Sequence, residues 1–301
     1  VEIVEYGPEM AEDVAEAYSA GVRGVPHCYS ATAEQLGASL AEAGENRREQ
    51  RVLVARADGR VRGLSLACIA PQWPDAPQED GQIRFIWYEP GRRAVGQALL
   101  EASEEHLRSQ DMARFSAFHQ NHRLSVYHRL HAYLSDHLGH VQALLGFNGY
   151  RKAGGEVYLD WPDYDPREPA PTEVDVEITV EFPKGRGLLP NITLKALRDG
   201  SQIGECVGYS CAHASPLEVE EDWWFCTLLG VDDAFQGKGL GKHILQRALK
   251  EMYGLGYRHA AISTSWDNYR ALLFYTNVGY SVADWTYGFT RDAKPEGTNN
   301  R

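Results

Sequence analysis

The sequence has no run of eighteen or more uncharged apolar residues, the length a helix needs to cross a bilayer, so hydropathy predicts no membrane span and no membrane partner. It also lacks a basic stripe. Asp and Glu outnumber Lys and Arg by 42 to 30, and the resulting charge of −12 repels phosphate backbones, which argues against a nucleic-acid partner. No CxxC pair occurs. The cysteines (Cys28, Cys68, Cys206, Cys211, Cys226) are odd in number and mostly lie in apolar runs, so they read as reduced core thiols and not as a disulfide framework. A secretory leader would be basic and then greasy, whereas this chain opens with Glu2, Glu5, Glu9, Glu12 and Asp13; the expected compartment is the cytoplasm.

What is present suits a globular protein. With 301 residues and 43% apolar content, the chain can supply a core to each of two domains. The stretch Trp161 to Pro171, rich in proline and acid, suits neither a helix interior nor a central strand and is expected to be a linker. The same order of signals recurs on either side of it. Asp58-Gly59 and Asp199-Gly200 each sit between strand-like runs as hairpin turns. An aromatic strand follows in each half (Ile83 to Tyr88; Trp223 to Val231), then a glycine-bearing loop and an amphipathic helix (Val95 to Ser109; Leu240 to Tyr253). Each half closes on a Gly-Tyr pair, Gly149-Tyr150 and Gly279-Tyr280. The halves differ at their openings. Helices are expected over Pro8 to Ala20 and Ala33 to Ala43, the second behind a Thr32/Gln35 capping box, while the second half opens on strand-like alternation (Val174, Val176, Ile178, Val180) and the loop Pro183 to Pro190.

The sharpest chemistry lies in Gln236-Gly237-Lys238-Gly239-Leu240-Gly241-Lys242, between an apolar strand and a helix whose Ile244, Leu245, Ala248, Leu249 and Met252 keep helical spacing. Glycines let the backbone approach a ligand, the first helical turn presents unpaired N–H groups, and the helix dipole adds about half a positive charge there. The loop departs from a Walker A motif, since His243 stands where Ser or Thr is required, and its third glycine comes one residue early for a dinucleotide fold.

Gln236-x-x-Gly239-x-Gly241 matches the Q/R-x-x-G-x-G/A signature, and Asn268-x-x-Ala271-x-x-x-Tyr275-x-x-x-Gly279-Tyr280 the second pattern, of the GNAT acyltransferase superfamily, which this chain resembles. The resemblance implies an α/β (α+β) chain of two tandem GNAT folds, each a mixed, mostly antiparallel central sheet flanked by helices. The domains would be 1–161, a linker 162–171, 172–293 and a disordered tail 294–301. It implies an N-acyltransferase, most simply an acetyltransferase, moving an acyl group from acetyl-CoA or another acyl-CoA to an amine of a small molecule or peptide by direct attack, without a metal. Backbone groups of Leu229, Gly230 and Val231 would hold the pantetheine, and Gln236, Gly237, Lys238, Gly239, Leu240, Gly241 and Lys242 the pyrophosphate. Asn268 would cap its helix and touch the pantetheine, and Tyr275 would protonate the departing thiolate. A non-catalytic acyl-CoA-binding regulator is the alternative from another class.

Some family positions are changed. The strand position at which members carry a glutamate base holds Phe225, which leaves Glu221, Asp222 and His213 as the nearest candidates. Cys226 is the nearest thiol for a covalent route. In the first half Arg93, Gly96 and Ala98 keep a phosphate-loop pattern, but Leu145 and Leu138 stand where the tyrosine and asparagine belong, so that half is expected to be catalytically degenerate and to wall the acceptor side of the second. His119, His122, His128, His131, His137 and His140 crowd into the first half; with no cysteine or carboxylate pair beside them, surface or interdomain roles are expected and not a metal site.

Overall fold

The computed structural model describes residues 1–42, 46–73, 76–127, 133–213 and 221–292; the tail expected over 294–301 lies outside them, as do His128 and His131. In chain order the elements begin with β1 (Glu2–Glu5), α1 (Ala11–Gly21), α2 (Ala33–Ala41), β2 (Arg48–Ala57), β3 (Arg60–Pro71), β4 (Glu79–Tyr88), α3 (Arg93–Arg108), β5 (Arg114–Ala117), β6 (Leu134–Ser135), α4 (Gly139–Phe147) and β7 (Arg151–Trp161). They continue with β8 (Glu177–Glu181), β9 (Ile192–Arg198), β10 (Ser201–Ser210), β11 (Trp223–Val231), α5 (Leu240–Gly254), β12 (His259–Ser265), α6 (Tyr269–Val278) and β13 (Ser281–Asp292).

The chain divides into two compact units, Val1–Glu156 with Trp285–Arg301, and Val157–Asp284. The division does not fall at the proline-rich stretch. It cuts β7 and β13, each of which begins in one unit and ends in the other. Strands of eleven and twelve residues are long enough to pass from one unit into the other, and a period-2 pattern announces a strand without saying which unit it joins.

In the first unit the strand order is β1-β2-β3-β4-β5-β13, with β6 also on β13. In the second it is β8-β9-β10-β11-β12-β7. Both hairpins form as the sequence predicts, with Asp58 and Gly59 at φ 52° and 71° and Asp199 and Gly200 at 51° and 77°. Positive φ at both central residues is what a twist-matched two-residue turn needs, and Asp-Gly supplies it cheaply. The only parallel pairs among those with defined register are β4 with β5 and β11 with β12.

Sheet register fixes the correspondence between the copies. Gly63 pairs with Tyr88, and Gly204 with Val231. A Cβ on Gly63 would lie 2.6 Å from Leu99 of α3, and one on Gly204 2.8 Å from Ile244 of α5, so each glycine lets a helix press against its sheet at the same place. On this register Ile83, Arg84, Phe85, Ile86, Trp87 and Tyr88 correspond to Cys226, Thr227, Leu228, Leu229, Gly230 and Val231. Both copies also carry a β-bulge at the same point, with Arg84 and Thr227 as the extra residues.

The helices follow their patterns. Thr32 caps α2 reciprocally, its hydroxyl accepting from the Gln35 N–H at 3.2 Å while the Gln35 side chain accepts from the Thr32 N–H at 3.0 Å. In α5 the predicted stripe Ile244, Leu245, Ala248, Leu249 and Met252 is at most 2% exposed. Each of its larger side chains contributes roughly 1.5–3 kcal/mol by burial, which holds the glycine loop in front of the helix in place. The proline-rich stretch does not hang free: Tyr164 is 1% exposed, its hydroxyl donates to the Leu249 carbonyl at 3.0 Å, and the Ala170 N–H donates to Gln246 at 2.8 Å. Lacking a regular ladder of its own, this segment satisfies its backbone on α5.

Candidate functional site

In the second unit β11 and β12 pair from Trp223/His259 to Cys226/Ile262 and no further, so the strands part over Thr227 to Val231. Leu229, Gly230 and Val231 stand half-exposed in that gap. A cavity of about 850 Å³ occupies it and is lined by those three residues, by Gln236, Gly237, Gly239, Gly241 and Lys242 of the loop, and by Asn268, Tyr275 and neighbours on α6. The structure thus gathers ten of the twelve residues expected from the sequence around one space. The other two are placed otherwise. Lys238 does not line the cavity; its ammonium donates to the Ala234 carbonyl at 2.8 Å and lies near the Phe235 ring. The Leu240 side chain is 1% exposed, so only its backbone can serve a ligand.

The loop is shaped for an anion. Gly237 and Gly239 have φ of 77° and 83°, a region costly to residues with a Cβ. A Cβ on Gly230 or Gly237 would meet nothing within 4 Å, so the backbone there is open to a ligand. No side chain caps α5 and its first turn holds no acid, whereas α2 is fully capped. Its leading N–H groups therefore face the cavity end without a local acceptor. Gln236 braces the loop to the strand, donating to the Val231 carbonyl at 3.0 Å and to Asp233 at 2.7 Å. The segment after the proline-rich stretch supports it from behind, with the Glu173 N–H and the Thr172 hydroxyl both donating to the Lys238 carbonyl at 3.1 Å.

Asn268 caps α6, accepting from the Ala271 N–H at 3.1 Å. Two turns on, Tyr275 is 8% exposed and lines the cavity, and burial, helped by the nearby Cys226 and Cys206 thiols, raises its pKa above the usual value. Its hydroxyl therefore stays protonated across the ordinary pH range, as a proton donor must. Arg270, Phe274, Asn277 and Val278 also line the cavity and were not expected from the motifs. Arg270, Phe274 and Asn277, spaced by four and three, share one stripe of α6, but it lies across the helix from the stripe of Asn268 and Tyr275, so the motif positions gave no signal for it.

Among the described residues the lining holds no carboxylate and no imidazole. Glu221 and Asp222 precede β11, and Asp222 lies seven positions before Leu229, about 23 Å along an extended strand. Glu221 is occupied there, accepting from the Leu188 N–H at 2.9 Å, and Asp222 lies 3.4 Å from His259. Neither reaches the cavity. Cys226 is 2% exposed and its thiol points to the Leu228 carbonyl at 3.5 Å, which suits packing better than attack.

The corresponding gap in the first unit is filled. β4 and β5 pair only over Gly81 to Ile83, yet Arg84 to Tyr88 are all buried. Trp87 packs on Gly21 at the end of α1, and the Tyr88 ring covers Gly96. His140 donates from Nε2 to the Tyr88 carbonyl at 2.9 Å, while the Tyr88 hydroxyl donates to the His140 carbonyl at the same distance. Arg93 lies over the Phe147 ring at 4.2 Å, and Gln97 and Asn148 exchange amide hydrogen bonds at 3.0 and 2.9 Å. The phosphate-loop pattern of this half is therefore spent on packing α3 against α4. His122, 5% exposed, makes a hydrogen bond with the Pro71 carbonyl, and burial lowers its pKa to about 4; it is a core residue and not a surface one. Among the described residues no group of three or more His, Cys, Asp or Glu is placed to hold a metal ion, and no helix is long and apolar enough to cross a membrane.

Comparison with known proteins agrees with this geometry. The model of the acetyltransferase (GNAT) family matches residues 157–280, and no curated protein matches the chain. Among solved structures, a tandem GNAT protein from the clavulanic acid biosynthesis pathway superposes with a TM-score of 0.66 at 14% identity, covering 98% of this chain and 99% of its own. A GCN5-related N-acetyltransferase from Sphaerobacter thermophilus gives 0.65 at 14% identity over 98% and 96% of the two chains. A fungal glucosamine N-acetyltransferase region gives 0.64 at 17% identity, covering 96% of this chain and 38% of that one. The match to the GNAT family model covers nearly all of the second unit, and the chain as a whole has the tandem GNAT fold.

Proposed function

We propose that the second unit binds acyl-CoA, most simply acetyl-CoA, and transfers its acyl group to an amine of a small molecule or peptide. One observation carries this reading: the strand gap, the uncapped N-terminus of α5 and the buried Tyr275 hydroxyl open onto a single cavity. The residues fit the cosubstrate. Gly237 to Lys242 would take the pyrophosphate on N–H groups, with Lys242 and Arg270 adding charge at the rim. The pantetheine would run along Val231, Gly230 and Leu229 as an added strand, held by backbone groups that β12 leaves unpaired. The Leu229 amide would polarise the thioester carbonyl, and Tyr275 would protonate the departing thiolate. Since none of the described lining residues is a base, the amine would arrive neutral and attack directly.

Incubation of the full chain with acetyl-CoA and a panel of amines should release free CoA thiol with at least one of them. Tyr275→Phe should abolish most of that release while leaving CoA binding intact. Binding without release across a broad panel would instead support a regulatory acyl-CoA sensor.

A further inference from the structure

Coenzyme A offers a protein a pantetheine, a pyrophosphate and an adenosine that carries a 3′-phosphate. The strand gap and the glycine loop account for the first two. Two sides of α6 line the cavity: Asn268 and Tyr275 lie on one, while Arg270, Phe274 and Asn277, spaced by four and three, form a stripe on the other. A space bounded by both sides of one helix continues past it, so the cavity extends beyond the path of the pantetheine. Among the described residues its lining carries two formal charges, Lys242 and Arg270, and no acid. Among those same residues neither cation has an ion-pair or hydrogen-bond partner. Lys242 stands in the first turn of α5, beside the amides of the loop, whereas Arg270 stands in the first turn of the other helix.

We infer that Arg270, Phe274 and Asn277 form a subsite for the adenosine 3′-phosphate of the cosubstrate, and that Arg270 makes the chain select CoA over dephospho-CoA. This rests on the acyl-CoA reading above and adds to it a nucleotide end. The pyrophosphate is served by the loop amides, the helix dipole and Lys242, which leaves Arg270 for the remaining anionic group. A phosphomonoester carries about −1.5 to −2 charges at neutral pH, and the planar guanidinium fork matches its oxygens in pairs. One turn along, the half-buried Phe274 offers a ring on which the base can stack, and Asn277 supplies an amide that both donates and accepts at the base edge. The first copy shows the converse. Aligned on the Gly-Tyr pairs, His140, Leu144 and Phe147 stand where Arg270, Phe274 and Asn277 do, and aligned on the loop pattern Leu99 stands for Lys242. His140 is engaged by the Tyr88 carbonyl, and Leu144 and Leu99 are 3% and 0% exposed. Where the strand gap is filled, neither cation is kept.

Calorimetric titration of the full chain with CoA, dephospho-CoA and phosphopantetheine tests this without knowledge of the acceptor. The wild-type chain should bind CoA at least about tenfold more tightly than dephospho-CoA, the scale of one hydrogen bond to a charged group. Arg270→Ala should weaken CoA by that factor and leave dephospho-CoA within about twofold of its wild-type affinity, so that the two ligands bind alike. Lys242→Ala, at the pyrophosphate, should weaken both and keep their ratio. Phe274→Ala should weaken CoA and dephospho-CoA together by at least about fivefold and leave phosphopantetheine, which has no base, unaffected. Arg270 is exposed, and an unchanged dephospho-CoA affinity reports that its variant is folded. Equal binding of CoA and dephospho-CoA by the wild-type chain overturns the inference. So does an Arg270→Ala variant that weakens both alike, which would assign this residue to the pyrophosphate. Failure of the wild-type chain to bind CoA at all would instead overturn the acyl-CoA reading on which the subsite rests.

Discussion

The two copies share strand order, hairpins, the bulge and the glycine under the helix, yet one encloses a cavity and the other a plug. The difference comes down to a few side chains at matched positions. Gly230 leaves the backbone open where Trp87 fills the space, and Val231 lines the cleft where Tyr88 covers the helix start. The helix cap and the tyrosine are likewise replaced by leucines, Leu138 at 3% and Leu145 at 0% exposure. A cleft is costly to keep, because its backbone groups lack partners and its lining lacks contacts. Once a copy no longer needs its ligand, filling the gap with aromatic side chains gains stability. The first copy has the composition of a gap that has been packed.

The comparison can be broken most severely by cutting the chain after Asp284. Residues 285–292 belong to the first unit, where Phe289 to Asp292 pair with β5 and Arg291 bonds Glu104 at 2.6 Å. Glu104 is itself buried and bonds the Tyr150 hydroxyl at 3.0 Å. Removing one partner of such a buried pair costs about 3–5 kcal/mol, before the loss of Phe289 is counted. The truncated chain should lose the cooperative unfolding transition of its first unit in calorimetry, although nothing of the second motif has been deleted.

Next in size is the conversion of the open copy into the closed one. Gly230→Trp places the first copy's residue where a Cβ meets nothing within 4 Å, so the fold should tolerate it. The indole would occupy the pantetheine path, and CoA affinity should fall at least about a hundredfold, about 2.7 kcal/mol, by titration. The reverse change, Trp87→Ala, should open no site, since Tyr88 and His140 remain; it should cost about 3–5 kcal/mol of stability in a denaturant melt.

Tyr275→Phe follows, with a loss of roughly 10²-fold in turnover and little change in CoA affinity. The pH profile sharpens the point. Because burial raises the Tyr275 pKa, the donor remains protonated well above neutrality, and because no described lining residue is a carboxylate or imidazole, none of them titrates on the acid side. The rate should therefore rise with pH according to the acceptor amine's own pKa, with no falling limb up to about pH 10. A bell with an acid-side pKa that stays fixed when the amine is changed would reveal a base the cavity does not show.

Much of this was legible before any coordinates. Asp-Gly turns, the Thr32/Gln35 box and the stripe on α5 are local signals, and local chemistry decides them, so turns and helices fell within a few residues of expectation. The glycine loop was legible for the same reason, since positive φ and an uncapped helix are written in consecutive residues. Three features were not. The bulge at Thr227 depends on a partner strand, and the division of β13 between the units depends on which strands pair with it. The plug was hidden although its residues are large, because only strand register sets Trp87 opposite the role of Gly230. Arg93, Gly96 and Ala98 show the limit of a motif: the pattern survives where Tyr88 already covers its glycine.

That limit yields the smallest prediction. Gln97 was the one unusual residue in the first copy's loop, and Leu240 holds its place in the second. Gln97→Leu would make the first loop agree better with the family pattern. If the pattern governed binding, a second CoA site should appear. The geometry says otherwise, because Gln97 is bonded to Asn148 in both directions while the obstruction comes from Trp87 and Tyr88. Asn148 would keep its bond to the Leu144 carbonyl at 2.9 Å, so the cost should be about 1 kcal/mol and visible as a small fall in Tm. Titration should still give one CoA per chain, and a stoichiometry of two would show that the loop sequence, not the filled strand gap, keeps the first copy empty.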